Sequence, residues 1–373
     1  MKSNIIFINQ DSGYLMIDII NAYVKEGYSC VLVTGRLVER GTPLHSSVKV
    51  EKIIKYNRNS TFNRLFTWFW ATIRILGILW IKYPKGKLFI VSNPPFAPLL
   101  PLVVKNPYSL LIFDIFPNAL SESGILPDKS LIIQWWKKAN KKVFTKADRI
   151  FTISEGMKQI LHYYAKPKEV ELVPIWTDND FLKPVKPDNN IFISKHNLLN
   201  KFVVLYSGSI GLSGVVEMLV DIAAEIHNDN IVFVIIGEGV RKAQIKRKIM
   251  SLNLKNVLLL PWQSVKDLPY SLSSANLAVI GLGQKVSRLA IPSKLYSYLS
   301  VGAPILCFAE NDSEISRFIS EYRIGKTFDS TMKAEVIDYI ELLEANPDEC
   351  KFLSDNALLA SKNFSSANVN KFL

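Results

Sequence analysis

Three stretches of this 373-residue sequence set chemically useful residue types where backbone turns would present them. In "AIPSKLYSYLSVGAPIL" (290–306), Pro292, Ser293 and Lys294 open an apolar-periodic run that ends at Gly302. Proline and serine start helices and glycine ends them. A lysine in the first turn opposes the helix dipole unless an anion shares the site. A phosphate held by the first N–H groups, the Ser293 hydroxyl and Lys294 removes that conflict. Arg288, six residues upstream, adds a second cation. The second stretch, "YSGSIGLSG" (206–214), carries Gly208, Ser209, Gly211 and Gly214, small residues that let backbone N–H groups approach an anion. It matches neither the dinucleotide fingerprint nor the P-loop, and many strand-to-helix turns look like it. In the third, "GEG" (Gly237, Glu238, Gly239) closes another apolar run, and "LPWQSVKDLP" (260–269) sets Trp262 and Gln263 just past the next, where a nucleobase could stack.

A fourth candidate is Asp114, which leaves the run "LLIF" two residues before Phe116-Pro117. A carboxylate there suits a general base or the orienting of a hydroxyl, and equally a turn or helix cap. Glu122, and Ser12 with Gly13 after the first strand-like run, are further loop candidates. The histidines His45, His162, His196 and His227 fall in no motif. Cys30, Cys307 and Cys350 lie too far apart for a disulfide framework or a zinc site, so a reducing compartment and no metal are expected. The apolar run after Lys2 is too short for a signal peptide.

These residues need a scaffold, and the alternation of apolar runs supplies one. "NIIFIN", "SCVLVT", "KLFIVS", "SLLIFDIF" and "RIFTIS" read as strands, most followed by helical periodicity, the βαβ pattern of a parallel sheet. The stretch 173–190, with three prolines, breaks the pattern. A second series follows: "KFVVLYSGS", "NIVFVIIGEG", "NVLLLP", "ANLAVIGL" and "APILCFA". The expectation is two doubly wound α/β domains, 1–182 and 183–373, with the last helix packing back on the first. Strand carboxyl ends of both would face a central cleft.

The net charge of +12 is uneven. Residues 1–180 hold 24 Lys and Arg against 14 Asp and Glu, leaving 21 against 19 for the remainder. The segment 62–87 combines Trp68, Trp70 and Trp80 with Arg74 and Lys82. No charge-free run reaches the ~20 residues that span a bilayer. An aromatic helix with cations at its edges lies in a membrane interface, or is a core helix whose cations snorkel. The basic residues are scattered among apolar runs, which argues against nucleic acid as a partner.

Together and in this order, the glycine turn, "GEG", "LPWQSVKDLPYSLSSANLAVIGL" and "PSKLYSYLSVGAPIL" resemble the donor-binding domain of GT-B glycosyltransferases of family 4. The likeness is to the branch that builds bacterial capsule, O-antigen and exopolysaccharide. "SNPPFAPL", "FDIFPNAL" and "KKVFTKADRIFTISEGMKQIL" resemble that branch's N-terminal segments, so the resemblance covers roughly residues 1–330.

It implies a retaining, metal-independent hexosyl- or N-acetylaminosugar transferase with a nucleotide-sugar substrate, UDP-linked, and no cofactor. The acceptor is a polyprenyl-diphosphate-linked saccharide at the cytoplasmic membrane face, with the enzyme peripheral on it. Diphosphate contacts fall to Gly208, Ser209, Gly211, Arg288, Ser293 and Lys294; nucleoside contacts to Gly237, Glu238, Trp262, Gln263 and Ser297. The family's paired glutamates align with Leu289 and Ser297, and its Arg and Lys after the glycine turn with Leu212 and Ser213. Those departures keep two alternatives open: a nucleotide-sugar epimerase, or a catalytically inactive GT-B partner subunit.

Overall fold

The computed structural model describes residues 2–373 apart from 58, 123–125, 166–168, 212–213 and 283–290. The chain divides into two compact units: Met1–Ile175 with Ser366–Leu373, and Trp176–Ser365. The division lies at 175/176 rather than at the expected 182/183, because residues 177–182 bond within the second unit. The Asn179 amide donates to Ser361 O at 3.0 Å, and the Ser300 hydroxyl donates to Leu182 O. The C-terminal 3-10 turn Ser366–Phe372 belongs to the first unit, where the Phe372 ring meets Phe151 at 4.8 Å and the Tyr23 hydroxyl donates to Phe372 O at 2.6 Å.

The first unit holds β1 (Lys2–Ile8), β2 (Asp11–Ser12), β3 (Tyr28–Thr34), β4 (Arg36–Leu37), β5 (Lys49–Lys52), β6 (Lys87–Val91), β7 (Tyr108–Ile112), β8 (Ile150–Thr152) and β9 (Val170–Leu172). Its seven-stranded sheet runs β5-β3-β1-β6-β7-β8-β9, all parallel, with β2 and β4 forming a small separate pair. The second unit holds β10 (Phe202–Ser207), β11 (Ile231–Ile236), β12 (Val257–Leu260), β13 (Leu277–Gly281), β14 (Ile305–Phe308) and β15 (Gly325–Phe328). Its six-stranded parallel sheet runs β12-β11-β10-β13-β14-β15.

Central strands such as "IIFI" and "LAVI" are buried along their whole length because helices cover both faces, so they read as unbroken apolar runs rather than alternating ones. In each sheet the strand order reverses beside the first strand, between β1 and β6 and between β10 and β13. Crevices at such reversal points, outside the carboxyl ends of the strands, are where doubly wound sheets bind ligands.

The basic aromatic segment forms the helix Thr61–Lys82, started by Ser60, whose Oγ accepts from Asn63 N at 3.1 Å. By length and composition it could cross a membrane, with a mean hydropathy of 1.3 over its most apolar stretch. One stripe, Thr67, Ala71, Ile75, Ile78 and Leu79, is nevertheless buried, and its apolar members join the core formed with Ile6, Ile8, Leu88 and Ile90. That spacing is one face of a helix. The last residues of the 62–87 segment are not helical: Lys87 begins β6.

Candidate functional site

At the reversal point of the second unit, the end of β10 and the helix Lys294–Ser300 are tied together. Ser207 N donates to the Tyr298 hydroxyl at 3.1 Å. One turn earlier on the same helix, the Lys294 ammonium sits 4.5 Å from the centre of the Tyr206 ring. The Tyr206 hydroxyl in turn donates to Ser209 O at 2.8 Å, bracing the glycine turn from beneath. A Cβ on Gly208 would lie 2.6 Å from Lys294 Nζ, so glycine is what leaves the ammonium room beside the backbone. Burial pulls the Lys294 pKa down from 10.5 to about 8. A cation held against an aromatic ring and desolvated in this way is stabilised by an arriving anion.

Ser293 begins the helix but caps nothing with its side chain and is exposed. The helix runs Lys294–Ser300 with Ser293 as its N-cap residue, so Pro292 is not the first helical residue as expected; Gly302, expected as the stop, lies beyond the helix with φ +73°. At only seven residues the helix contributes little dipole, so the Lys294 side chain carries the anion argument. Arg288 lies outside the described residues, as do Leu212, Ser213 and Leu289. Ser209 is exposed, and Gly211 follows it in the turn.

The turns after β10 and β11 are stitched together. Ile210 N donates to Glu238 O at 2.9 Å, and Arg241 N to Ile210 O at 3.2 Å. A Cβ on Gly237 would meet Gly208 O at 2.0 Å, and one on Gly239 would meet Ile210 O at 2.2 Å. Only glycine permits that approach, which explains "GEG" in structural terms. The exposed Glu238 side chain pairs with Lys242 at 2.6 Å. Beyond β12, Trp262 is half-exposed, and the Gln263 amide donates back to Pro261 O at 2.8 Å. The Ser297 hydroxyl lies 3.4 Å from Thr177 Oγ1, so it also holds the 177–182 segment to its helix.

Within the first unit, Asp114 follows β7, and the backbone N–H groups of Phe113 and Asp114 both donate to Ser92 Oγ, at 3.0 and 3.2 Å. The Asp114 residue is solvent-accessible, yet its carboxyl lies in a recess whose walls raise its pKa above the usual carboxylate value by desolvation. That favours proton acceptance. Ser12 is corrected: it is buried, its hydroxyl donating to Asn9 O at 3.1 Å and accepting from Thr34 Oγ1 at 3.0 Å, so it orders the turn rather than meeting a ligand. Gly13 caps the helix Tyr14–Lys25. Glu122 ends the short helix Asn118–Glu122, and its side chain lies outside what the structure describes.

Of the candidate membrane residues, Trp70, Trp80 and Arg74 are exposed. Trp68 is corrected: its ring stacks on Tyr56 at 5.5 Å and meets Phe116 edge-on at 6.0 Å, because it faces the loops instead of solvent. Lys82 is exposed but ion-paired with Glu51 at 2.7 Å, a contact that holds the Glu51 carboxyl down at about 2. The sequence reading missed a second surface. Leu131, Ile132 and Trp135 are exposed at the start of the helix Leu131–Lys146, ahead of Lys137, Lys138, Lys141 and Lys142. Apolar residues on the solvent side of "LIIQWWKKANKK" were the available signal.

Two doubly wound units with these strand orders have the GT-B fold. The structure superposes on that of Anabaena HepE in complex with UDP and glucose with a TM-score of 0.73, at 13% identity, covering 99% of this chain and 97% of that one. Residues 188–359 match the family model described as "Glycosyl transferases group 1". WbjE of Pseudomonas aeruginosa, which carries the name of a glycosyltransferase, is 23% identical over 85% of this chain and 82% of its own length. WcaI of Escherichia coli K12, which carries the name of a colanic acid biosynthesis glycosyl transferase, is 28% identical over 47% of this chain and 44% of its own.

Proposed function

We propose that the protein transfers a sugar from a UDP-sugar to a polyprenyl-diphosphate-linked saccharide during assembly of a bacterial surface polysaccharide, working as a peripheral protein on the cytoplasmic face of the membrane. The observation that carries the reading is the desolvated Lys294 ammonium against Gly208 at the reversal point of the second sheet. The donor diphosphate lies there, between Lys294 and the backbone of Gly208, Ser209 and Gly211. As the glycosidic bond to the diphosphate breaks, charge grows on the leaving oxygen, and a preorganised cation stabilises it without a metal. The nucleoside rests by Gly237 and Glu238, within reach of the Trp262 ring.

Asp114 accepts or orients the proton of the acceptor hydroxyl, helped by its raised pKa. The UDP preference is supported by the UDP and glucose in the HepE complex, and the polysaccharide role by the name of WcaI. The exposed aromatic residues of the helix Thr61–Lys82, with the excess of basic residues in the first half of the chain, favour an anionic membrane surface. A retaining outcome is part of the proposal and follows the family resemblance.

Thermal denaturation with UDP, GDP or NADH and no added metal tests the donor reading, because a ligand that binds the native state raises its stability by mass action. Selective stabilisation by UDP, abolished in Lys294→Ala, is expected. No shift with any nucleotide would overturn the reading in favour of an inactive partner subunit.

A further inference from the structure

Tyr206, the next-to-last residue of β10, is buried, and no motif in the sequence marks it. Its surroundings set it apart from a tyrosine that only fills the core. A Cβ on Gly208 would come within 3.3 Å of the Tyr206 ring and 3.2 Å of its hydroxyl, as well as 2.6 Å from Lys294 Nζ. The missing side chain thus leaves one space that ring and ammonium occupy together.

The hydroxyl acts on the glycine turn. Gly208 N donates to Ile236 O at 3.0 Å and Ile210 N to Glu238 O at 2.9 Å, so alternate N–H groups of the turn are spent on the neighbouring chain. The carbonyl of the Ser209–Ile210 peptide accepts from the Tyr206 hydroxyl at 2.8 Å. Bonded at its oxygen and at its N–H, that peptide is fixed in orientation. Among the described residues, Ser209 N and Gly211 N meet no acceptor. Unpaired amides in such a turn are what an anion takes up.

The ring acts on the cation. Lys294 Nζ lies 4.5 Å from its centroid, inside the ~6 Å over which an aromatic face attracts an ammonium. The titratable groups that face Lys294 are neutral. Burial pushes the Cys307 thiol of β14 and the Tyr206 phenol up to about 12, and raises the Tyr298 phenol on the same helix as well. Among the described residues no carboxylate pairs with the ammonium, so the ring is the group that offsets its desolvation.

We infer that Tyr206 is a positioning residue of the donor site: its hydroxyl fixes the peptide that leaves Ser209 N and Gly211 N open to the diphosphate, and its ring seats the Lys294 ammonium beside the turn. The inference rests on the transferase reading above. Tyr206 acts through these groups and not on the sugar.

The test compares Tyr206→Phe and Tyr206→Leu with the parent protein. Calorimetry measures UDP affinity from pH 7 to 10, and NMR follows the titration of Lys294 in the ligand-free protein, its signal assigned from Lys294→Met. Tyr206→Phe keeps the ring and loses the bond to Ser209 O. It is expected to bind UDP about three- to tenfold more weakly at every pH, with the Lys294 midpoint still at about 8. Tyr206→Leu keeps the surroundings apolar and loses the ring face as well. Its Lys294 midpoint is expected to fall by about half a pH unit, because the ring favours the charged form, and UDP to weaken further, most of all above that midpoint. A tyrosine that only fills the core would lower Tm in the leucine variant and leave the midpoint where it was. Parental UDP affinity in Tyr206→Phe, or an unmoved midpoint in Tyr206→Leu, overturns the assignment. Tyr206→Phe is nearly isosteric and decides the part of the hydroxyl even where the leucine variant does not fold. Absence of UDP binding in the parent is instead the failure of the transferase reading, and the NMR titration then still decides the ring contact.

Discussion

Replacing Lys294 by methionine separates two effects that the site geometry couples with opposite sign. Methionine keeps the stem of the side chain and removes the ammonium. In the folded state burial has brought the Lys294 pKa from 10.5 to about 8. At ~1.36 kcal/mol for each tenfold change in proton affinity, that corresponds to a cost of about 3 kcal/mol for holding the charge there. Solvent reaches part of the side chain, so about 1–2 kcal/mol is the fair expectation. The ligand-free variant is therefore more stable than the parent, by roughly 3–6 °C in Tm for a unit of this size.

The sign depends on pH. Below about 8 the lysine is charged in both folded and unfolded chains, and the full penalty is present. Between about 8 and 10.5 the folded lysine gives up its proton before the unfolded one, and the advantage of methionine disappears. UDP binding moves the other way: loss of a charge-assisted contact costs ~1.5–3 kcal/mol, about ten- to 150-fold in Kd. Differential scanning fluorimetry of both proteins from pH 6 to 10.5, with and without UDP, reads both effects. A variant no more stable than the parent at pH 7, which still gains the same UDP shift, would refute the role given to this ammonium.

Asp114→Asn is expected to lower kcat at least a hundredfold with the UDP-induced thermal shift intact; in the parent, kcat should fall on the acid side with a midpoint above the ordinary carboxylate value, and an unchanged profile in the variant would exclude the carboxyl as base. Trp70→Ser combined with Trp80→Ser should release the protein from anionic vesicles in a sedimentation assay at unchanged Tm, whereas Trp68→Ser should lower Tm, because only Trp68 is packed on Tyr56. Gly237→Ala forces its methyl onto Gly208 O and should displace the glycine turn, reducing UDP affinity more than tenfold; wild-type affinity would show that the two turns do not depend on each other.

The candidate site residues divide by how local their signals are. Gly208, Gly237 and Lys294 were legible because a turn after a strand and a helix start are written in neighbouring residues. Tyr206 and Tyr298 were not, since a tyrosine at a strand end and another inside a helix carry no mark of the bond and ring contact that tie β10 to Lys294. Ser12 was misread for the same reason: its partner, Thr34, lies on another strand. In the helix Thr61–Lys82 composition gave the right element, while the assignment of Trp68 to core packing depended on Tyr56 and Phe116.

What the sequence alone determined is the two-unit parallel α/β architecture, because unbroken apolar runs alternating with helical periodicity can be satisfied only by sheets covered on both faces. It also determined the order of the turns that follow the strands of the second unit. Only the tertiary structure decided which side chains those turns meet: the place of Lys294 against Gly208, the division at 175/176, and the two contacts of Tyr206. Periodicity is a short-range property of the chain, whereas these depend on residues tens of positions apart, brought together when the strand order reverses.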